Sequence, residues 1–275
     1  MNIHTVLWLL WFVLGTCIGS FLNVCIHRMP REQSIVRPRS RCPHCERLIG
    51  WSDNIPLLSF AVLRGTCRYC RRPISWRYPI VELLTGICAV VVFRRFGAGT
   101  VGIVYFAFIC ALIAASFIDL DFQIIPDEIS VGGLVVGLLL SFAIPQLHGM
   151  QSHWLGLARS LIGMLVGGGV LYGTGLVGDL LFRRESMGGG DIKLLAMAGS
   201  ILGWKLVLVT FFIAPVIALV PGLLVLLFKR SNVIPYGPFL SIALVVSLFY
   251  GAEIIRLSGM GETVAMIREY YKSTH

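Results

Sequence analysis

Charge is what this sequence has least of: Asp, Glu, Lys and Arg make up 13% of 275 residues, and only 14 side chains are acidic. Such scarcity excludes an ordinary soluble globular surface, where about a quarter of residues are charged. Internal repeats and low-complexity tracts are missing too, which argues against a solenoid or a disordered tether. The N-terminal stretch Met1–Thr5 has no positive n-region, and the apolar run that follows to about Ile26 has no A-x-A cleavage site. A retained first span is therefore expected in place of a signal peptide. No Rossmann-type glycine fingerprint occurs either.

What remains is apolar. Hydrophobic residues account for 56% of the chain, and the mean hydropathy is +0.82. Several stretches reach the roughly 20 apolar residues needed to cross about 30 Å of hydrocarbon. The expected fold is an all-α polytopic membrane protein of about eight transmembrane helices, with a small cytoplasmic zinc-ribbon segment between the first two. The spans are placed near 5–26, 79–96, 100–118, 128–146, 155–181, 191–204, 206–228 and 235–252. The sixth is the weakest, being short and rich in Gly and Ala. Of the 23 Lys and Arg residues, eleven lie between Arg28 and Arg77. Because membrane proteins concentrate basic residues on the cytoplasmic side, this segment is assigned there. Alternation then puts the ends near Asp119, Arg183-Arg184 and Lys229-Arg230 on the same side. Arg94-Arg95 is the counter-example, a basic pair on the predicted outer face.

The eight cysteines form two classes. Cys17, Cys25, Cys88 and Cys110 sit in apolar runs and read as small buried hydrophobes. Cys42-Pro-His-Cys45 and Cys67-Arg-Tyr-Cys70 are C-x-x-C knuckles separated by 21 residues. Two such turns can present four thiolates to a tetrahedral Zn²⁺, with His44 left over. The alternatives are a pair of disulfides or unliganded thiols; disulfides are disfavoured in a reducing compartment. A ribbon with so little apolar material would draw most of its folding free energy from the metal.

Carboxylates bordering apolar spans cost about 2.5–3.5 kcal/mol at the bilayer centre even on the lenient scale, so each needs a partner or a job. The candidates are Glu82, Asp119, Asp121, Asp127, Glu128, Asp179 and Asp191. Asp119 closes a long apolar run before a helix break expected at Pro126. Asp191 follows Gly188-Gly189-Gly190 and opens the sixth span, where glycines allow an extended peptide to approach closely. Both are expected at the same face and depth, as a two-carboxylate hydrolytic site requires. A helix C-terminus at Asp119 would favour its protonated form, and a helix N-terminus at Asp191 its ionised form, making Asp191 the base and Asp119 the acid. Asp127 is expected to cap the fourth span; Glu82 and Lys193 are expected to cap, snorkel or pair, with a partner role near the site as the alternative.

With these residues in view, the chain resembles the bacterial prepilin peptidases, the type IV leader peptidases of pilus and type II secretion systems. The likeness runs to about Tyr250. It is carried by Gly19-Ser-Phe-Leu-Asn-Val24, the paired knuckles, Arg77-Tyr-Pro-Ile-Val-Glu82, the Asp119–Asp127 stretch, Gly-x-Gly-Asp at Gly188–Asp191 and Pro235-Tyr-Gly-Pro-Phe-Leu240. One departure is Gly189, where many relatives carry a larger residue. The resemblance implies that Asp119 and Asp191 are the catalytic pair and that Cys42, Cys45, Cys67 and Cys70 bind zinc. It also implies methylation of the new N-terminal amine from S-adenosylmethionine, with no contact residues assigned and the cytoplasmic segment as the donor's expected place. The implied setting is the bacterial inner membrane, with the active site at the cytoplasmic face. Expected partners are a prepilin or pseudopilin and anionic lipids, with no nucleic acid; the oligomeric state is left open. The organisation expected is a first span at 1–27, a zinc-binding segment at 28–78, a catalytic helix bundle at 79–252 and a tail at 253–275. A polytopic transporter would need repeated hydropathy in two halves, and a membrane-anchored zinc module would leave both aspartates without purpose.

Overall fold

The structure is a computed structural model that describes residues 2–183, 187–229 and 235–258, with residues 224–229 described by backbone alone. Arg184, Arg230 and most of the expected tail, 259–275, lie outside the described residues. The chain divides into two compact units, Met1–Pro126 and Asp127–His275. Apart from two isolated antiparallel bridges, no strand occurs among the described residues.

In the first unit, α1 (Ile3–Arg28) runs into a short 3-10 turn, Met29–Arg31. A non-helical segment follows, interrupted by a 3-10 turn at Trp51–Asn54 and the single turn α2 (Leu58–Val62). The long helices α3 (Arg77–Phe96) and α4 (Thr100–Phe122) complete the unit. Helix α1 packs on α3 because Gly15 and Gly19, spaced as small-x-x-x-small, leave room for a neighbouring backbone. A Cβ added at Gly15 would lie 2.8 Å from Cα of Gly86, and one at Gly19 would lie 2.8 Å from Cα of Glu82. Arg94 and Arg95 fall in the last turn of α3, where cations complement the helix dipole. Their guanidinium groups lie over the rings of Trp8 and Phe96. This local satisfaction accounts for a basic pair that the charge rule does not explain.

Helix α4 ends earlier than the proline suggests. Gln123 adopts a left-handed conformation (φ 55°), and its N–H returns to the Asp119 carbonyl at 2.9 Å. That αL residue closes the last turn three residues before Pro126, so the expected break at the proline is corrected.

The second unit contains α5 (Asp127–Ala143), a 3-10 turn at Pro145–His148, α6 (His153–Phe182), α7 (Gly189–Leu202), α8 (Trp204–Lys229) and α9 (Gly237–Leu257). All eight long helices expected from hydropathy are present, with ends displaced by a few residues. Five of them, α1, α4, α6, α8 and α9, are long and apolar enough to cross a membrane. Helix α7 has 14 residues and spans only about 21 Å. Its composition follows from its place in the unit: α5 and α6 pack against it, and Leu194 to Leu202 are all buried. The contact with α6 is backbone to backbone, since a Cβ on Gly163 would sit 2.1 Å from the Gly199 carbonyl oxygen.

Candidate active site and metal centre

The basic segment folds as two matching knuckles. In the first, Cys42 N–H donates to the Arg47 carbonyl (3.0 Å), and Glu46 N–H donates to the Cys42 carbonyl (2.9 Å). In the second, Cys67 N–H donates to Arg72 (2.9 Å), and Arg71 N–H donates to Cys67 (3.0 Å). Both turns are closed by a left-handed residue, Glu46 in one and Arg71 in the other. The four thiols are free, and their sulfurs lie within 4.8 Å of one another. A tetrahedral metal with thiolate bonds of about 2.3 Å demands S···S edges of about 3.8 Å. The Cys42–Cys70 separation is 3.8 Å, so that edge already has the length such an ion requires, and the four thiols together could hold one. Backbone N–H groups of Cys70 and Tyr69 bring the Cys67 thiol down to about 7. At Cys45 the Arg47 amide lowers the value, but burial and the neighbouring thiols outweigh it and leave the group at about 11. Crowded thiols of this kind surrender protons unequally, and a cation relieves the crowding. The apolar cysteines divide further: Cys25 and Cys110 are buried as expected, while Cys17 is exposed on α1.

Asp119 sits in the last turn of α4, and only 6% of its surface is exposed. Among the described residues the other buried acid is Glu82. The turn that carries Asp119 is anchored by the first residue of α3. The Arg77 guanidinium donates to the Phe117 carbonyl at 2.8 Å, pairs with the Asp121 carboxylate and lies over the Phe117 ring. Asp121 is thus an exposed ion-pair partner, and Arg77 is a positioning residue that the sequence reading did not single out. Its signal was present, as a lone arginine at the N-terminus of a span whose C-terminus already held two.

Asp191 is the third residue of α7, whose N-terminal flank is Gly188 in extended conformation. An acid at that position complements the helix N-terminus. Its Oδ2 folds back so closely that a Cβ at Gly188 would lie 3.0 Å from it. The space around Gly189 is open, with nothing within 4 Å of an added Cβ, so this glycine is not needed for the local conformation. Tyr236, the residue before α9, shares the neighbourhood: burial first, then the charge of Asp191, pushes its hydroxyl up to about 12. A phenol held neutral beside a carboxylate is a hydrogen-bond donor, a role that the Pro-Tyr-Gly-Pro motif did not disclose. Asp127 is the first residue of α5, and its carboxylate takes Lys193 Nζ at 2.7 Å; both side chains are largely exposed. Glu128 and Asp179 are exposed.

Glu82 overturns the expectation of a cap or an ion pair. It is buried on α3, and its Oε2 accepts the Leu57 N–H at 2.8 Å.

Fold and sites together define an integral, multi-helix membrane protein with a four-cysteine cluster able to hold a metal ion and with acids placed at helix ends. Residues 13–96 match the family model described as Bacterial Peptidase A24 N-terminal domain, and residues 106–223 match Type IV leader peptidase family. Among curated proteins, the Prepilin leader peptidase/N-methyltransferase of Myxococcus xanthus (strain DK1622) is 44% identical over 78% of this chain, and the match spans 62% of that protein's length. The protein of the same name from Aeromonas hydrophila is 36% identical over 92% of this chain and 95% of its own. That from Stutzerimonas stutzeri is 36% identical over 88% and 90%. No solved structure matches. The chain belongs to the prepilin leader peptidase/N-methyltransferase family.

Proposed function

We propose that this protein is a membrane aspartic endopeptidase that removes the basic leader from type IV prepilins or type II secretion pseudopilins and then methylates the new N-terminal residue. Its place is the bacterial inner membrane, with hydrolysis at the cytoplasmic face. Asp119 and Asp191 are the catalytic pair. One carboxylate, ionised, draws a proton from the attacking water, while the other, protonated, donates to the scissile carbonyl. Asp191, in the first turn of α7, is assigned the base and Asp119, in the last turn of α4, the acid.

The observation that carries this reading is that both aspartates fall within the segment matching the leader peptidase family, each at the end of an apolar helix where retaining an acid is costly. The four-cysteine cluster holds Zn²⁺ in a structural role, because thiolates fill every tetrahedral position. S-adenosylmethionine, when bound, supplies a methyl group activated by its sulfonium.

The decisive experiment incubates purified protein in detergent with a pilin precursor and follows product mass. Asp119→Asn and Asp191→Asn are each expected to slow cleavage at least about a hundredfold while leaving thermal unfolding unchanged. Cleavage at the normal rate by either variant would remove the assignment.

A further inference from the structure

The single turn α2 is apolar on two sides. On one side Phe60, with the flanking Leu57 and Leu63, lines a cavity of about 410 Å³ that has the buried Glu82 on its floor. On the other, Leu58 and Val62 stand one helical turn apart and are 57% and 68% exposed. Three observations say what covers them.

The first is the height of α2 along α3, which two contacts fix. Leu57 N–H donates to Glu82 Oε2 at 2.8 Å, and the Phe60 ring packs on Trp76 with centroids 4.9 Å apart. Trp76 already has helical backbone, so these contacts span six residues, or about 9 Å of rise. The contact at Leu57 is held by strain. Its φ is 60° and its ψ −47°, and the Leu58 N–H closes back on the Pro56 carbonyl at 2.6 Å in a γ-turn of the rare kind. A bulky residue keeps such a conformation only where its surroundings over-determine it.

The second is what α3 faces at that height. Trp76, Ile80, Leu84, Ile87 and Val91 are all exposed and recur at helical spacing, making one apolar stripe. Another face of α3 packs on α1, a helix able to cross a membrane. The stripe is therefore the lipid-facing side of α3, and α2 lies at the level where it begins. A tryptophan at the head of such a stripe falls where a bilayer has its aromatic belt.

The third is how little of α2 needs water. The carbonyls of Ser59, Phe60 and Ala61 accept from the N–H groups of Leu63, Gly65 and Arg64 at 2.8–3.1 Å. The Ser59 hydroxyl accepts the Ile55 N–H at 2.9 Å and donates to the Ser52 carbonyl at 3.0 Å. A turn whose polar groups are satisfied internally can leave water. Charge then selects the lipid: from Arg28 to Arg77 eleven arginines face only Glu32, Glu46 and Asp53. Arg64, two residues beyond α2, is exposed and has no ion pair among the described residues.

We propose that α2 and Trp76 form an interfacial anchor in the headgroup layer of an anionic phospholipid leaflet, with Leu58 and Val62 at the acyl boundary and Arg64 on a phosphate. The second knuckle follows α2 directly, so the anchor holds the cysteine segment against the bilayer surface. It goes beyond the peptidase reading and requires only that the chain is a membrane protein.

The test reconstitutes the full wild-type chain in phosphatidylcholine nanodiscs that contain a diazirine lipid, and maps the photo-adducts by mass spectrometry. The probe is phosphatidylglycerol or phosphatidylcholine, with the diazirine either near the glycerol or at the acyl end. The shallow phosphatidylglycerol probe is expected to label residues 57–64 and Trp76 about fivefold more than the shallow phosphatidylcholine probe. The deep probes are expected to label α3 around Ile87 and Val91 and to spare α2. Leu58→Asp combined with Val62→Asp should cut labelling of 57–64 about fivefold or more. The wild-type depth map decides even if that variant folds poorly. Shallow probes that label the ends of α1 and α3 but spare 57–64 overturn the anchor, and equal labelling by the two headgroups overturns its anionic partner. Adducts that a pilin precursor displaces from 57–64 overturn it as well, because the face would then belong to the substrate. Each of these results leaves cleavage by Asp119 and Asp191 to be judged by its own assay.

Discussion

His148 shows how a single side chain can be set by tertiary surroundings in a chain with so few charges. It lies in the 3-10 turn after α5, and its Nε2 is 2.9 Å from the Ser141 hydroxyl. That hydroxyl donates to the Ser200 carbonyl at 3.0 Å, and the Ser160 hydroxyl donates to the same oxygen at 2.6 Å. With its only proton committed to Ser200, Ser141 accepts from the imidazole, so Nε2 carries the hydrogen. Burial first, then the charge of Arg159, lowers the imidazole pKa, partly opposed by the Ser200 backbone. The neutral ring is therefore the folded form. Its stabilisation is complete above the unfolded value of about 6.5 and is lost as pH falls through the lower folded value. Acidification from about pH 8 to about pH 5 should lower the melting temperature in detergent, and His148→Gln should flatten that dependence. An unchanged slope in the variant would show that other groups govern it.

At the scale of helices, close approach is decided by glycines that face backbone. Gly163 on α6 meets the Gly199 carbonyl, and Gly199 on α7 meets the Gly163 carbonyl in return. Gly163→Leu cannot be absorbed by a rotamer change, because the obstacle is main chain, and it should cost about 3 kcal/mol or more. Gly169, on the same helix, has nothing within 4 Å of an added Cβ, so Gly169→Ala should be neutral or gain up to about 1 kcal/mol. Thermal unfolding of the two variants in one detergent separates them; equal melting temperatures would mean that α6 and α7 do not pack as described. Cleavage should fail with Gly163→Leu, since α7 carries Asp191.

For the molecule as a whole, the first unit is expected to depend on a metal more than the second does. Its segment between α1 and α3 holds two knuckles, isolated bridges and one helical turn, with little apolar burial of its own. Metal binding in such modules is worth on the order of 10 kcal/mol. A strong chelator, or Cys42→Ser, is expected to open the arginine-rich stretch to trypsin while the helices of the second unit remain resistant. Protection that survived complete metal loss, verified by elemental analysis, would show that packing alone holds the segment.

Hydropathy, charge spacing and the C-x-x-C pairs were enough to set the helix count, the four-cysteine cluster and the two acids at helix ends. Each of these depends on local chemistry: the length of an apolar run, the distance between thiols, the cost of a carboxylate in hydrocarbon. Tertiary structure alone decided the rest. It ended α4 at a left-handed Gln123 where a proline was expected to act, and it let α7 be too short to span the bilayer by enclosing it between neighbours. It turned Glu82 from an expected cap or ion-pair partner into a buried acceptor on the floor of a cavity, bonded to the N–H of a strained turn 25 residues away. Such features depend on which surfaces meet, and that is set by packing among distant segments, which no local pattern encodes.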